Sequence, residues 1–366
     1  MKKILLICNE SNAAYSFRRE LIIFLIQKGY KVSIIVCDTN KINELKSLGA
    51  NCHYVPFTNR SKNIISLRRI KASFKRIIIS ESPDIVFSFQ LKPNILAPKT
   101  AKECGVKKCF MMIEGLGNPF QPQNLLGSAI KRYVIRKYRK SSKYTDGIFF
   151  LNADDKEEFL ENKICNENIT HIIHGIGINT KSYDPDFSLP DSLVVLNMSR
   201  LIRRKGIMEY CELARLVRKQ RPDITFKLYG EQFDIDISDI QPYLETGDIV
   251  YGGYVDDIAA LITSSTLVCS TSYYREGFPR VALEAMALGR VVVASNIVGF
   301  KDAIINEKTG FLVEHNDLDK FAITITNVID DKNKLIEMGK NARKICEEKY
   351  DSNIINAKIV NIIEKS

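Results

Sequence analysis

Short, nearly continuous apolar runs alternate along this chain with longer stretches whose apolar positions recur every three or four residues. The runs from Lys3 to Cys8, Val32 to Val36, Asp84 to Phe89, Lys108 to Ile113 and Gly147 to Leu151 predict strands buried on both faces. Between them, Phe17, Leu21, Phe24 and Leu25 mark one face of a helix that Gly29 ends, and a second through Leu45 and Leu48 stops at Gly49. Further helices follow Pro93 and run from Leu125 to Tyr138. From Thr180 to Asp191, with Pro185 and Pro190, the pattern loosens into a linker. It then restarts, with strands from Leu193 to Met198, Thr225 to Tyr229, Asp248 to Tyr251, Thr266 to Cys269 and Val291 to Ala294, and a helix from Gly206 to Val217. This alternation predicts two doubly wound α/β domains, 1–180 and 181–351, facing a cleft at the carboxyl ends of both sheets. A length of 366 residues agrees, since one core rarely serves more than roughly 250 to 300.

One stretch departs from the plain alternation: Ser272-Tyr-Tyr-Arg-Glu-Gly-Phe-Pro-Arg-Val-Ala-Leu-Glu-Ala-Met-Ala-Leu-Gly289. It reads as a loop that turns into a buried helix, with Pro279 at the first helical position and Gly289 just past the end. Its polar residues are Glu276 in the loop, Arg280 in the first turn and Glu284 one turn on. An Arg at the positive end of a helix is unfavourable unless an anion joins it. Backbone N–H groups near Gly277 and Phe278 can close on a phosphate, while carboxylates accept from hydroxyls. Without context, a loop charge and a solvated Arg280–Glu284 pair is the commoner reading. With Gly-Phe-Pro between them, the stretch resembles the donor-site signature of family-four retaining glycosyltransferases, in which two glutamates with seven residues between them frame a nucleotide sugar.

That resemblance implies the GT-B fold, two Rossmann-like domains about a central cleft. It also implies that the last helix, over residues 352–366, packs back on the first domain. By that match Glu276 takes the transferred sugar and Glu284 the ribose, with Gly277, Phe278 and Pro279 beside them as donor-binding candidates. In Ser199-Arg-Leu-Ile-Arg-Arg-Lys-Gly206, Arg200 and Lys205 match the cations that neutralise the leaving diphosphate. The match leaves Arg203 and Arg204 as surface residues. Tyr254, after the glycine pair Gly252-Gly253, matches the base region, and Gly299 permits close approach to the donor. In the first domain, Glu114-Gly-Leu-Gly117 and Lys92-Pro-Asn94 resemble the subgroup that extends undecaprenyl-diphosphate-linked sugars. This makes Glu114, Gly115, Gly117, Lys92 and Asn94 acceptor-side candidates. Gln90 stands near where some relatives place histidine, and Ser11, Asn12 and Arg18 depart from the Gly-Gly opening of many members. His174-Gly-Ile-Gly177 resembles the segment leading into the linker.

Composition narrows the setting. Nine scattered cysteines without a Cys-x-x-Cys spacing read as small buried hydrophobes in a reducing compartment. The first apolar run is too short for a signal peptide, and no run approaches the ~20 residues that span a bilayer. Residues 1–180 carry 29 Lys and Arg against 15 Asp and Glu, and the remainder 24 against 28. Two acid-free segments, 60–76 and 131–143, hold seven bases each. They predict a cytoplasmic protein lying on the inner face of the membrane, with Val134, Ile135 and Tyr138 among the cations of an interfacial helix.

The expected activity is transfer of a hexose or N-acetylhexosamine from a UDP-sugar to a polyprenyl-diphosphate-linked saccharide of a capsule, O-antigen or glycoprotein glycan. No cofactor and no metal is expected, because Arg200 and Lys205 can do a metal's electrostatic work. A GT-B nucleotide-sugar epimerase and a basic nucleic-acid-binding protein are the alternatives. No helix-turn-helix, RNP or OB pattern supports nucleic acid as a partner. A dinucleotide oxidoreductase fails for want of Gly-x-Gly-x-x-Gly after Ile7.

Overall fold

The computed structural model describes residues 1–57, 64–121 and 124–366. The chain forms two compact units: residues 1–177 with 352–366, and 178–351.

Unit 1 runs β1 (Lys3–Ile7), α1 (Ser11–Gln27), β2 (Lys31–Val36), α2 (Ile42–Ser47), β3 (Asn51–Tyr54), α3 (Ile64–Glu81), β4 (Ile85–Phe89), α4 (Leu91–Glu103), β5 (Lys108–Ile113), α5 (Leu125–Ser142), β6 (Gly147–Phe150), α6 (Ala153–Glu161) and β7 (Thr170–Ile172). Its sheet is wholly parallel, in the order β3-β2-β1-β4-β5-β6-β7. Strand order reverses between β1 and β4, so the loops after these two strands part to opposite faces and leave a crevice. Pro93 lies inside α4, not before it; the helix starts two residues earlier, at Leu91. The apolar stripe of α5 does not face a membrane. Val134, Ile135 and Tyr138 are buried in a cluster with Met111, Ile113, Ile148, Phe150 and Phe159, because a helix beside a parallel sheet must cover it. Of the basic segment 60–76, Arg60 and Lys62 fall outside the described residues, and Arg68, Arg69, Lys75 and Arg76 are exposed on α3.

Unit 2 runs β8 (Val194–Met198), α7 (Ile207–Arg218), β9 (Thr225–Tyr229), α8 (Ile237–Glu245), β10 (Val250–Tyr251), α9 (Ile258–Thr263), β11 (Leu267–Ser270), α10 (Arg280–Ala287), β12 (Val291–Ser295), α11 (Phe300–Ala303), β13 (Gly310–Val313), α12 (Leu318–Ile329) and α13 (Lys332–Lys349). Its parallel order is β10-β9-β8-β11-β12-β13, with the reversal between β8 and β11. The final helix, α14 (Ser352–Lys365), belongs to unit 1. There Tyr30 donates to Glu364 at 3.0 Å and the Lys108 ammonium to the Ile363 carbonyl at 3.0 Å.

The stretch that reads as a linker is strapped to unit 2. Buried Arg290 donates to the carbonyls of Asp186, Ser188, Thr263 and Ser265. Arg343 donates to those of Thr180, Tyr183 and Ala287. Each guanidinium satisfies backbone acceptors that irregular chain leaves unpaired. The chain passes between the units at 177–178 and 351–352.

Candidate functional site

In unit 2, two glycines let three strand-end loops close on one another. At φ +74°, a Cβ on Gly206 would overlap the Thr271 carbonyl, and one on Gly230 that of Ser199. The Leu201 N–H then donates to the Glu231 carbonyl at 2.8 Å, and the Tyr273 N–H to that of Arg204 at 3.0 Å. The Arg203 N–H donates to the Asp234 carboxylate at 2.7 Å. On this frame, at the reversal of strand order, Lys205 Nζ lies 2.5 Å from Glu276 Oε1, and each side chain is under one-fifth exposed. The Lys205 ammonium sits 5.7 Å from the Tyr274 ring, and the Arg200 guanidinium 5.4 Å from that of Phe233. Gly299, at φ +95°, closes the far side: a Cβ there would stand 3.1 Å from the Glu276 carbonyl.

The helix after Glu276 differs from expectation in detail. Pro279 is the residue before the first helical position, at ψ 115°. The Phe278 ring turns inward onto Tyr350, 5.2 Å between centroids, so Gly277 and Phe278 offer the loop their backbone. Arg280 and Glu284 do form an i,i+4 pair at 2.8 Å, but Glu284 keeps only 7% of its side-chain surface. Burial opposes the Arg280 charge, and Glu284 and Tyr183 outweigh it, so its pKa lies above the ordinary value. The Tyr183 hydroxyl donates to the same carboxylate oxygen at 3.2 Å. That partner comes from the supposed linker and has no signature in the sequence. Tyr254 is 70% exposed and donates to Asp256 at 3.0 Å. Gly252 does not leave room for a ligand, since a Cβ there would overlap the Tyr229 ring. The neighbouring Gly253 carbonyl accepts from the Gly230 N–H at 2.8 Å, which ties the Tyr254 loop to the frame.

In unit 1, the ends of β4 and β5 border a cavity of about 160 Å³ lined by Gln90, Leu91, Asn94, Glu114, Leu116 and Phe120, among others. Gln90 is held at φ 67°, ψ 168°, a region that glycine alone visits cheaply and that costs another residue about 1–3 kcal/mol. Its Oε1 accepts the Asn9 N–H at 2.9 Å. Glu114 pairs with Arg18, which keeps 3% of its surface and lies 4.4 Å over the Phe89 ring. Burial lowers the Arg18 pKa to about 10, so the guanidinium remains charged at neutral pH and keeps its carboxylate partner. Gly115 also lines the cavity, and Asn94 forms its floor. The Asn94 carboxamide accepts from the Ser88 hydroxyl and donates to the Met112 carbonyl, both at 2.8 Å. Lys92 and Gly117 are not among the lining residues; Lys92 lies toward Cys37, and burial lowers its pKa. In the sequence Arg18 and Gln90 stand out only as departures, because an ion pair and a strained dihedral exist only in the fold.

Residues 182–345 match the family of group 1 glycosyl transferases, and residues 3–145 the glycosyl transferase 4-like family. The chain is 24% identical over 364 residues to an N,N'-diacetylbacillosaminyl-diphospho-undecaprenol α-1,3-N-acetylgalactosaminyltransferase of Campylobacter jejuni, covering 96% of this chain and 95% of that protein. It is 24% identical over 335 residues to a UDP-Gal:α-D-GlcNAc-diphosphoundecaprenol α-1,3-galactosyltransferase of Escherichia coli, covering 86% and 84%. Its fold superposes on Anabaena HepE in complex with UDP and glucose with a TM-score of 0.82 at 17% identity, over 100% of both chains. The epimerase reading finds no support in these relatives. Glycosyltransferase families thus match in succession over both parallel-sheet units of a GT-B fold, the glycosyl transferase 4-like family over residues 3–145 and the group 1 glycosyl transferases over 182–345.

Proposed function

We propose that the protein transfers a hexose or N-acetylhexosamine from a UDP-sugar to a polyprenyl-diphosphate-linked saccharide, with retention of anomeric configuration. The observation that carries the reading is the Lys205–Glu276 pair at 2.5 Å, at the switch point of the unit 2 sheet. A diphosphate entering there offers Lys205 a more highly charged partner than Glu276. The exchange frees the Glu276 carboxylate to accept from sugar hydroxyls, while Glu284, fixed by Arg280 and Tyr183, accepts from the ribose. As the bond from the anomeric carbon to phosphate breaks, charge grows on the leaving oxygen, and Lys205 with Arg200 stabilises it. The acceptor oxygen bonds to the anomeric carbon on the same face and its proton passes to the departing phosphate. The relatives' undecaprenyl-diphosphate acceptors support the acceptor class. The exposed cations of α3 and α5 support attachment to an anionic membrane where such a lipid resides.

Radiolabelled UDP-sugars offered with short-chain polyprenyl-diphosphate sugars test this. Label should pass to lipid with one UDP released per sugar, and the product should keep the donor's anomeric configuration by NMR. Isomerised UDP-sugar without acceptor, or an inverted product, would overturn the reading.

A further inference from the structure

The cavity of unit 1 is too small for a whole glycan. It measures about 160 Å³, whereas sites that enclose a complete small ligand run from roughly 300 to 1,000 Å³. It therefore suits one substituent. Leu91, Met112, Ile113, Leu116 and Phe120 give it a mostly hydrocarbon wall, which favours a methyl group over water. Of the polar side chains in that wall, Tyr138 and Asn94 engage each other, and the other two have opposite capacities. The Gln90 oxygen is taken by the Asn9 N–H, so what its carboxamide offers a ligand is the NH₂ donor. Glu114, paired with Arg18, offers a carboxylate acceptor. Asn94 does not compete, since Ser88 and the Met112 carbonyl engage both ends of its amide. A donor, an acceptor and a hydrocarbon wall correspond to the carbonyl oxygen, the N–H and the methyl of an acetamido group.

We infer that this cavity reads the N-acetyl group of an amino sugar in the acceptor. Gln90 donates to its carbonyl, Glu114 accepts from its N–H, and Leu116 and Phe120 cover the methyl. The inference rests on the acceptor reading above and adds the class of sugar that is read. The backbone strain at Gln90 fits this role, because a relaxed dihedral would aim the carboxamide elsewhere.

The test compares polyprenyl-diphosphate N-acetylglucosamine with its glucose counterpart as acceptors under one UDP-sugar, and then exchanges N-acetylated and plain donors under one acceptor. Loss of the acceptor's acetamido group should raise acceptor KM about tenfold or more, whichever donor is used. Leu116→Phe, which fills the cavity, should cut the preference for the N-acetylated acceptor about tenfold in kcat/KM, with calorimetric UDP affinity as the check on folding. Gln90→Glu, which exchanges the donor for a second acceptor, should cut the same preference without adding bulk. Equal use of both acceptors by the native protein, or acetyl dependence that follows the donor, overturns the inference. If neither acceptor is glycosylated while UDP binds, the acceptor reading has failed instead. NMR saturation transfer to the acetyl methyl of methyl α-N-acetylglucosaminide then decides the cavity alone: a signal lost in Leu116→Phe upholds it, and no signal overturns it.

Discussion

At the scale of single residues, two carboxylates eight positions apart are set in different electrostatic surroundings. Glu276 neutralises Lys205 at 2.5 Å, whereas Glu284 is fixed from behind by Arg280 at 2.8 Å. Glu284→Gln should weaken UDP itself about tenfold or more, because a charged hydrogen bond to the ribose contributes about 1.5–3 kcal/mol. Glu276→Gln should leave UDP affinity unchanged or tighter, since Lys205 loses its resident partner, yet turnover should fall. Calorimetric titration with UDP separates the two, and equal losses would refute the division. Lys205→Ala should cost about a hundredfold in turnover at saturating donor, of order 3 kcal/mol of transition-state stabilisation. Near-normal turnover would show that the clamp is misassigned. Both glutamates were legible because they bracket Gly-Phe-Pro at a fixed spacing. Gln90 and Arg18 were not, since nothing in a sequence marks a φ of 67° or a guanidinium lying on Phe89.

At the scale of elements, interior strands were more legible than edges. β5 and β12 are apolar on both faces and announce themselves, whereas the edge strands β3, β7 and β13, three or four residues long with mixed side chains, do not, and of the edges only β10 shows in the pattern, within Asp248–Tyr251. An edge has one neighbour and carries less of the core, so its pattern is faint. The apolar stripe of α5 was visible, but not what covers it; a sheet and a bilayer ask for the same residues. Turn glycines give a test at this scale. Gly206 and Gly247 have similar φ, +74° and +70°, but a Cβ at Gly206 meets the Thr271 carbonyl while one at Gly247 meets nothing within 4 Å. Gly247→Ala should cost about 1 kcal/mol for the dihedral alone. Gly206→Ala should cost at least twice that, lowering the melting temperature by roughly 4–8 °C for a unit of this size. It should also weaken UDP, because the loop bearing Lys205 must move. Matching melts for the two variants would show that the close approach does not matter.

At the scale of the whole molecule, charge is divided between the units. Unit 1 carries 31 Lys and Arg against 16 Asp and Glu, and unit 2 carries 22 against 27. Among the described residues no helix is long and apolar enough to cross a membrane; the attachment proposed above is a surface one. With Val134, Ile135 and Tyr138 turned into the core, the outward face of α5 holds Arg132, Arg136 and Lys140 on successive turns, with exposed Lys143 just past its end. At its first turn Leu125 and Leu126 are 89% and 71% exposed, and Tyr133 follows at 51%. Cations along a helix that opens on bare leucines suit a headgroup layer entered at that end. The same helix turns Tyr138 onto the cavity of unit 1, so an acceptor tethered in the bilayer would lie close to the groups proposed to read it. Each cation near an anionic surface contributes about 1 kcal/mol, screened beyond ~8 Å at physiological salt. Co-sedimentation should therefore show binding to anionic but not neutral vesicles, weakening as salt rises. Replacing Arg132, Arg136, Lys140 and Lys143 by Ser should flatten the salt dependence. Leu125→Ser with Leu126→Ser should lower affinity while keeping its slope, because the leucines add an apolar contribution of about 2 kcal/mol each that salt does not screen. Binding that ignores lipid charge, or that survives both sets of replacements, would place the attachment on another face.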